Sequence, residues 1–399
     1  MPPLRVIVMG GSLAGLASAV FLRRADVDVE VFERSQRPLV GRGAGIVLHP
    51  AVFRVLDRDP QEISARADVL RYLDRDGAIA SEQPCSYRFI SYAALHRAML
   101  ECLAPDTYHL GAEVTDFAQD AGGVTVEVAG HEAQRGDALV CADGIHSTAR
   151  RRLVPDVQPV YAGYVGWRGT VVESRLSEEA FATFADAITY CVLPNSHILV
   201  YPIPSLAGSL EPGERLINWV WYRNASPREL DRLLVDRAGV RHAVSVGSGD
   251  VREDVLEGLL ADAALRLPPQ LAELVAKSPE PFVQVVFDIA VPHMAFERIA
   301  LIGDAAFALR PHVAVGTAKA AEDAWTLAAA LADADADADG GVPDALRAWE
   351  TDQIRLALSA MERARDAGAR SQFDNSWRVG DPLPFGLYEA GDSLLARSG

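Results

Sequence analysis

An α/β fold is predicted, in which a nucleotide-binding domain is interleaved with a mostly antiparallel β-sheet domain and followed by C-terminal helices. Three features of the chain predict it. A βαβ pattern with a glycine turn opens the sequence, aromatic-rich strand patterns fill its middle, and an apolar strand near residue 299 is followed by two long helical stretches. At 399 residues the chain exceeds the usual size of one hydrophobic core, so two intimately packed domains are expected.

Residues 4–9 are an apolar run that reads as a buried strand, residues 13–24 as a helix ending in Arg23 and Arg24, and residues 27–32 as the next strand. Gly10-Gly11-Ser12-Leu13-Ala14-Gly15 joins the first strand to the helix. A helix N-terminus offers unpaired N–H groups and a partial positive charge to a pyrophosphate. Gly10 makes the tight turn and Gly15 allows close helix–strand packing. Ser12 stands where a second glycine is usual, and its hydroxyl can itself face a phosphate. Glu33 ends the second strand, where a carboxylate can accept both ribose hydroxyls and would repel a 2′-phosphate. The unit is Rossmann-like.

Strand patterns rich in aromatics follow at 161–172, 188–203, 216–222 and 282–289. Alternation within residues 217–222 puts Trp219 and Trp221 on one sheet face. The nucleotide-binding domain is therefore assigned residues 1–70, 92–160 and 285–370, the sheet domain 71–91 and 161–284, and a C-terminal packing arm 371–399. Helices are expected from about residue 317 to 331 and from 343 to about 369. The Asp/Ala alternation between them reads as a solvated loop.

With 38 basic and 55 acidic side chains the net charge is −17, which disfavours nucleic acid and anionic membrane as partners. Cys85, Cys102, Cys141 and Cys191 lie far apart, so neither a disulfide framework nor a metal cluster is expected, and a reducing cytoplasm fits. The apolar stretch 6–22 is read as the βαβ start rather than a signal peptide, because Gly10, Gly11 and Gly15 interrupt it.

Two further blocks complete a pattern with the glycine turn. Cys141-Ala142-Asp143-Gly144-Ile145-His146-Ser147 ends in Arg150, and Leu301-Ile302-Gly303-Asp304-Ala305-Ala306 is followed by Pro311 and Gly316. Asp-Gly alone is a common turn pair, so the order and spacing of all three blocks carry the signal. Together they resemble the FAD-dependent aromatic-ring hydroxylases, the para-hydroxybenzoate hydroxylase-like flavoprotein monooxygenases. The resemblance implies an FAD-binding domain of the glutathione-reductase type and non-covalent FAD, with NADH or NADPH as co-substrate. It places FAD on Gly10 to Gly15, Glu33, Arg34, Gly45, Val114, Asp143, Gly144 and Asp304, with Arg150 a further candidate. Pro311, Ala314, Val315, Gly316, Thr317 and Ala318 correspond to the loop and helix start beside the flavin ring, where a helix N-terminus stabilises negative charge. Tyr92 stands where many relatives carry an arginine for the pyrophosphate, and Arg42 is the candidate replacement.

Phe307, Ala314 and Ala318 depart from the commonest pattern of that family. With Arg310-Pro311-His312, Trp167-Arg168-Gly169 and the tail Asp381-Pro382-Leu383-Pro384-Phe385-Gly386, they resemble the 2,6-dihydroxypyridine 3-hydroxylases. The implied enzyme is a single-component monooxygenase. NAD(P)H reduces the flavin, O2 adds to give a C4a-hydroperoxide, and its terminal oxygen passes to an electron-rich ring, a hydroxypyridine by resemblance. Salicylate- or urate-type hydroxylation and a non-catalytic flavin-binding role are the alternatives. A halogenase is disfavoured because Trp219-Val220-Trp221 continues as Tyr222-Arg223-Asn224 rather than to Ile-Pro.

A ring hydroxyl reacts better as its anion, so a nearby base helps, and His49 and His312 are the candidates. His197, Tyr201, Trp219, Trp221 and Phe307 are expected to line the substrate, although aromatics on a buried sheet are core more often than ligand contacts. The partners expected are a small aromatic molecule and O2, with self-association into a homo-oligomer left open.

Overall fold

The computed structural model describes residues 3–39, 45–334 and 341–389. Its first sheet has the apolar strand Arg5–Met9 at its centre. Asp28–Glu33 pairs parallel to it on one side and Ala138–Cys141 on the other. Tyr108–Leu110 and Ile299–Leu301 extend the sheet in parallel, and Ala295–Phe296 closes one edge antiparallel. Both faces are covered, which is why these strands are uninterrupted apolar runs.

Helix Leu13–Arg24 packs on this sheet through nine buried residues and places Arg23 and Arg24 in its last turn, where cations offset the helix dipole. Helix Gly316–Ala332 lies beside it, rich in alanine and therefore able to approach closely. The 32-residue helix Gly341–Gln372 buries Val342, Leu346, Trp349, Gln353, Ala357, Ala360, Ala364, Ala367 and Ser371, a three-and-four spacing that draws one stripe along it.

The second sheet has ten strands and is mostly antiparallel. Val160–Val172, Leu216–Asn224, Ser196–Ile203 and Ala187–Leu193 form its centre. Ala65–Leu73 joins it in parallel beside Ala187–Leu193, and Ile79–Ser91 and Gly45–Val47 follow. The domain boundary expected after residue 70 therefore falls inside a strand. Alternation in Ala65–Leu73 buries Ala65, Ala67, Leu70 and Tyr72, the sign of a strand committed to this sheet.

The faces of this sheet differ. One is covered by helices Glu253–Arg266 and Pro269–Ala276, which the aromatic texture of the region did not suggest. That face buries Trp167, Val200, Trp219 and Trp221 against Val255, Leu259, Leu271 and Leu274. The other carries Tyr164, Tyr190, Leu199, Tyr201, Val220 and Tyr222 and is joined by Trp377, Leu383 and Phe385 from the C-terminal segment. Tyr72 donates its hydroxyl to Asp381 O at 3.0 Å, which helps hold that segment down.

Candidate active site

A cavity of about 420 Å³ opens between the nucleotide-binding domain and the second face of the large sheet. It falls within the roughly 300–1,000 Å³ range of small-molecule sites. All three sequence blocks reach it or support it.

The glycine turn forms one end. Gly10 has φ +102°, and a Cβ there would stand 2.5 Å from Ala142 O. A Cβ on Gly15 would lie 1.9 Å from Gly10 O, so only glycine lets helix and strand meet. Glu33 is buried and accepts from Gly11 N and Ser35 N, each at 2.8 Å, which fixes the turn. His96 and Tyr108 hold Gly11 O from behind. Ser12, Leu13 and Ala14 line the cavity. Ser12 is the N-cap residue but makes no cap bond. Its hydroxyl pairs with Tyr92 at 2.7 Å, so Tyr92 contributes a hydroxyl where a cation is usual. Arg34 is exposed and Val114 is a buried core residue, and neither lines the cavity. Arg42 lies outside the described residues.

The second block supports the third. Asp143 Oδ2 accepts from Thr148 N at 2.6 Å and caps the short helix Thr148–Leu153, while its Oδ1 is buried without a partner among the described residues. Gly144, at φ +75° with open space beside it, lines the cavity. Arg150 is buried and donates to Ile145 O at 2.6 Å and Ala305 O at 3.0 Å, pinning the two blocks together. Asp304 opens on the cavity. Its side chain is exposed to the cavity, but the surrounding protein partly desolvates it and raises its pKa from 3.8 to about 6, and Arg150 partly opposes that rise.

Pro311, His312, Ala314, Val315, Gly316 and Thr317 form the next wall, and the helix Gly316–Ala332 starts there with no side chain capping it. Ala318 is buried in the helix and does not reach the cavity. Ala314 adopts φ +57°, and its carbonyl accepts from His49 Nε2 at 2.8 Å. A carbonyl only accepts, so that bond puts the His49 proton on Nε2. His49 does not line the cavity; it steadies the loop instead of facing a bound ring. From below, the buried pair Lys319–Asp323 reaches Gly303 N through Asp323 Oδ2 at 3.4 Å.

The sheet supplies the last wall. His197, Leu199 and Tyr201 line it with Val220 and Tyr222 of the adjoining strand, because His197 pairs with Tyr222 and Leu199 with Val220 across the ladder. Trp219 and Trp221 have the opposite parity. They are fully buried under the covering helices, where their indole N–H groups donate to Ser278 Oγ at 2.6 Å and Ser196 Oγ at 2.9 Å. They belong to the core, not to the substrate wall. Phe307 is likewise buried in the nucleotide-binding domain, 5.7 Å from Lys319 Nζ, and does not line the cavity.

His312 is the predicted base that the cavity does contain. Its Nε2 lies 2.7 Å from the Tyr164 hydroxyl. Its Nδ1 is buried without a partner among the described residues. Burial holds His312 well below its usual pKa and His197 at about 3, so both rings are neutral at physiological pH. His197 Nδ1 is held by Ser371 at 3.0 Å and Gln372 at 3.3 Å, which leaves Nε2 for a ligand. Gln284, Tyr190 and Arg168 also line the cavity and were not singled out from the sequence, although Arg168 lies in a quoted motif.

This donor set fits FAD. The turn provides bare helix N–H groups for a pyrophosphate, Asp304 faces the cavity as an acceptor for polyol hydroxyls, and a second helix start faces the far end.

Comparison with known proteins agrees. A family model described as FAD binding domain-like matches residues 161–288. Over 389 residues the chain is 34% identical to the 2,6-dihydroxypyridine 3-monooxygenase of Paenarthrobacter nicotinovorans, covering 96% of each protein. The solved 2,6-dihydroxypyridine-3-hydroxylase of Arthrobacter nicotinovorans superposes with a TM-score of 0.89 at 33% identity, over 97% of this chain and 98% of that one. Klebsiella pneumoniae HpxO complexed with FAD and uric acid shares the fold, with a TM-score of 0.73 at 23% identity over 94% and 90% of the two chains.

Proposed function

Because the chain belongs to the FAD-dependent aromatic-ring hydroxylases, we propose that the ring it hydroxylates, with NAD(P)H and O2, is an electron-rich hydroxypyridine. The observation that carries this reading is the wall opposite the flavin loop. It is aromatic on three strands and holds the neutral His197, with the neutral His312 facing it from the flavin loop, and among the described residues the cavity is lined by no carboxylate except Asp304 at the flavin side. A flat heteroaromatic ring with polar edge atoms matches such a wall.

FAD reduced by NAD(P)H supplies the activation of O2 and the transferable oxygen atom. The chain's residues bind and orient. The turn at Gly10 to Gly15 would take the pyrophosphate and Asp304 the ribityl hydroxyls. The N–H groups at the helix start at Gly316 would favour negative charge on the flavin. His49 holds the Ala314 carbonyl and keeps that loop in its left-handed turn. Tyr201 donates to Gly45 O at 2.8 Å and Asn218 Oδ1 accepts from Gly45 N at 3.0 Å, so the strand Gly45–Val47 is clamped across the cavity. Trp377 and Phe385 line the cavity from the C-terminal segment, and such apolar walls help exclude water from the reacting ring. His197 Nε2 and His312, oriented by Tyr164, are the groups placed to hold the ring's oxygen and nitrogen atoms.

A panel of pyridinols and hydroxybenzoates tests the reading, scored by substrate-dependent NAD(P)H oxidation with products identified by mass. Turnover of hydroxypyridines with gain of one hydroxyl is expected. Turnover of hydroxybenzoates alone would overturn the substrate assignment.

A further inference from the structure

Arg168 stands out among the cavity residues because nothing among the described residues neutralises it. It projects from the strand Val160–Val172, between Phe282 and Val220 on the neighbouring strands. Among the described residues its guanidinium makes no hydrogen bond and no ion pair, and its Nε is buried without a partner. Most arginines that approach the interior elsewhere are paired. Arg215 meets Glu173, Arg310 and Arg365 meet Asp288, and Arg150 meets three carbonyls.

The surroundings sharpen the contrast. Arg168 is close enough to Tyr201 and Tyr222 to favour their anions, yet burial keeps both phenols protonated. Among the described residues the one carboxylate lining the cavity, Asp304, belongs to the flavin side. In a chain of net charge −17, a half-buried cation inside an aromatic pocket is poised for an anion that arrives with the ligand. Tight packing fixes the backbone around it, since a Cβ on Gly169 would stand 2.8 Å from the Trp219 ring and one on Gly166 would stand 3.2 Å from Tyr222.

We propose that Arg168 is a specificity-determining residue whose guanidinium takes an anionic oxygen of the aromatic substrate, either a ring oxyanion or a ring carboxylate. This rests on the hydroxypyridine reading and deepens it. It puts a cation on the sheet wall and makes ligand charge a criterion for entry. A planar guanidinium also matches a carboxylate or a pair of ring oxygens through two parallel donors.

The test is titration of the FAD-loaded enzyme, followed by flavin fluorescence, with 2,6-dihydroxypyridine, its 4-carboxylate and its 4-carboxamide. Wild type, Arg168→Gln and Arg168→Lys are compared, with FAD content and steady-state kinetics measured for each. Arg168→Gln should keep its FAD and weaken the anionic ligand by about tenfold to hundredfold, the value of a charge-assisted hydrogen bond. It should leave kcat closer to wild type than KM, and Arg168→Lys should recover part of the affinity. A loss shared by all three ligands, with FAD kept and partly recovered by Arg168→Lys, identifies the ring oxyanion that they have in common, and a loss on the 4-carboxylate with the other two unchanged identifies the carboxylate. No loss on any ligand, a shared loss that Arg168→Lys does not recover, or loss of FAD would overturn the role while leaving the hydroxypyridine reading intact. Failure of all three rings to bind wild type would overturn both.

Discussion

As the proposed partner of the ribityl chain, Asp304 should tie FAD affinity to pH, and the size of the effect follows from its surroundings. Without FAD its carboxyl is pushed up from 3.8 to about 6 by desolvation among the surrounding protein atoms, only partly relieved by Arg150. Ribityl hydroxyls donate best to the ionised form, so FAD binding should draw the group toward its carboxylate. The sign is therefore fixed: affinity is flat above the FAD-free pKa and falls as pH drops through it. At pH 7 about nine-tenths of the groups are ionised and at pH 5 about one-tenth, so affinity should fall roughly tenfold between them. Asp304→Asn should bind FAD more weakly at pH 7 and lose the pH dependence. Apoprotein titrated with FAD from pH 8 to pH 5, followed by flavin fluorescence, measures both. A wild-type curve that is level or rises toward pH 5, or an equally steep curve for Asp304→Asn, would refute the assignment.

Two other substitutions separate core from site. Trp221→Phe removes the indole donor to Ser196 beneath the covering helices, so it should cost about 1–3 kcal/mol of stability and lower Tm while leaving KM for the ring unchanged. A selective rise in KM at wild-type Tm would return Trp221 to the substrate wall. His49→Ala frees the Ala314 carbonyl, so FAD affinity should fall by about fivefold to tenfold and the flavin absorption band should shift, with the shape of the pH–rate profile unchanged. Loss of an ionisation limb from that profile would instead make His49 a base.

The nucleotide-binding end was legible because its constraints are local. Gly10 and Gly15 have no room for a Cβ, Glu33 follows from the end of its strand, and helix Leu13–Arg24 follows from a continuous apolar run. The substrate wall was only half legible. Alternation put Trp219 and Trp221 on one face and His197 and Tyr201 on another strand's face. It could not say that ladder register sets those faces opposite each other, because register joins residues far apart in sequence. Covering helices at 253–276 decide which face is core, and aromatic strand composition carries no trace of them. His49 and His312 were alike in sequence as histidines near an expected ligand. They parted when the fold brought Ala314 to one and Tyr164, 148 residues away, to the other. Arg168 lay in a motif already quoted, but an unpaired cation is recognisable only when all its neighbours are known.

On the proposed reading, this chain uses its flavin cavity to place an oxygen atom from O2 on a hydroxypyridine ring. The most direct measurement is turnover of 2,6-dihydroxypyridine by the FAD-loaded enzyme with NAD(P)H under oxygen-18 gas, with the product analysed by mass. One oxygen-18 atom in a hydroxylated product, formed together with NAD(P)H consumption, is the expected result. NAD(P)H oxidation that yields only hydrogen peroxide with every ring tested, or a product whose new oxygen comes from water, would rule out hydroxypyridine hydroxylation by this enzyme.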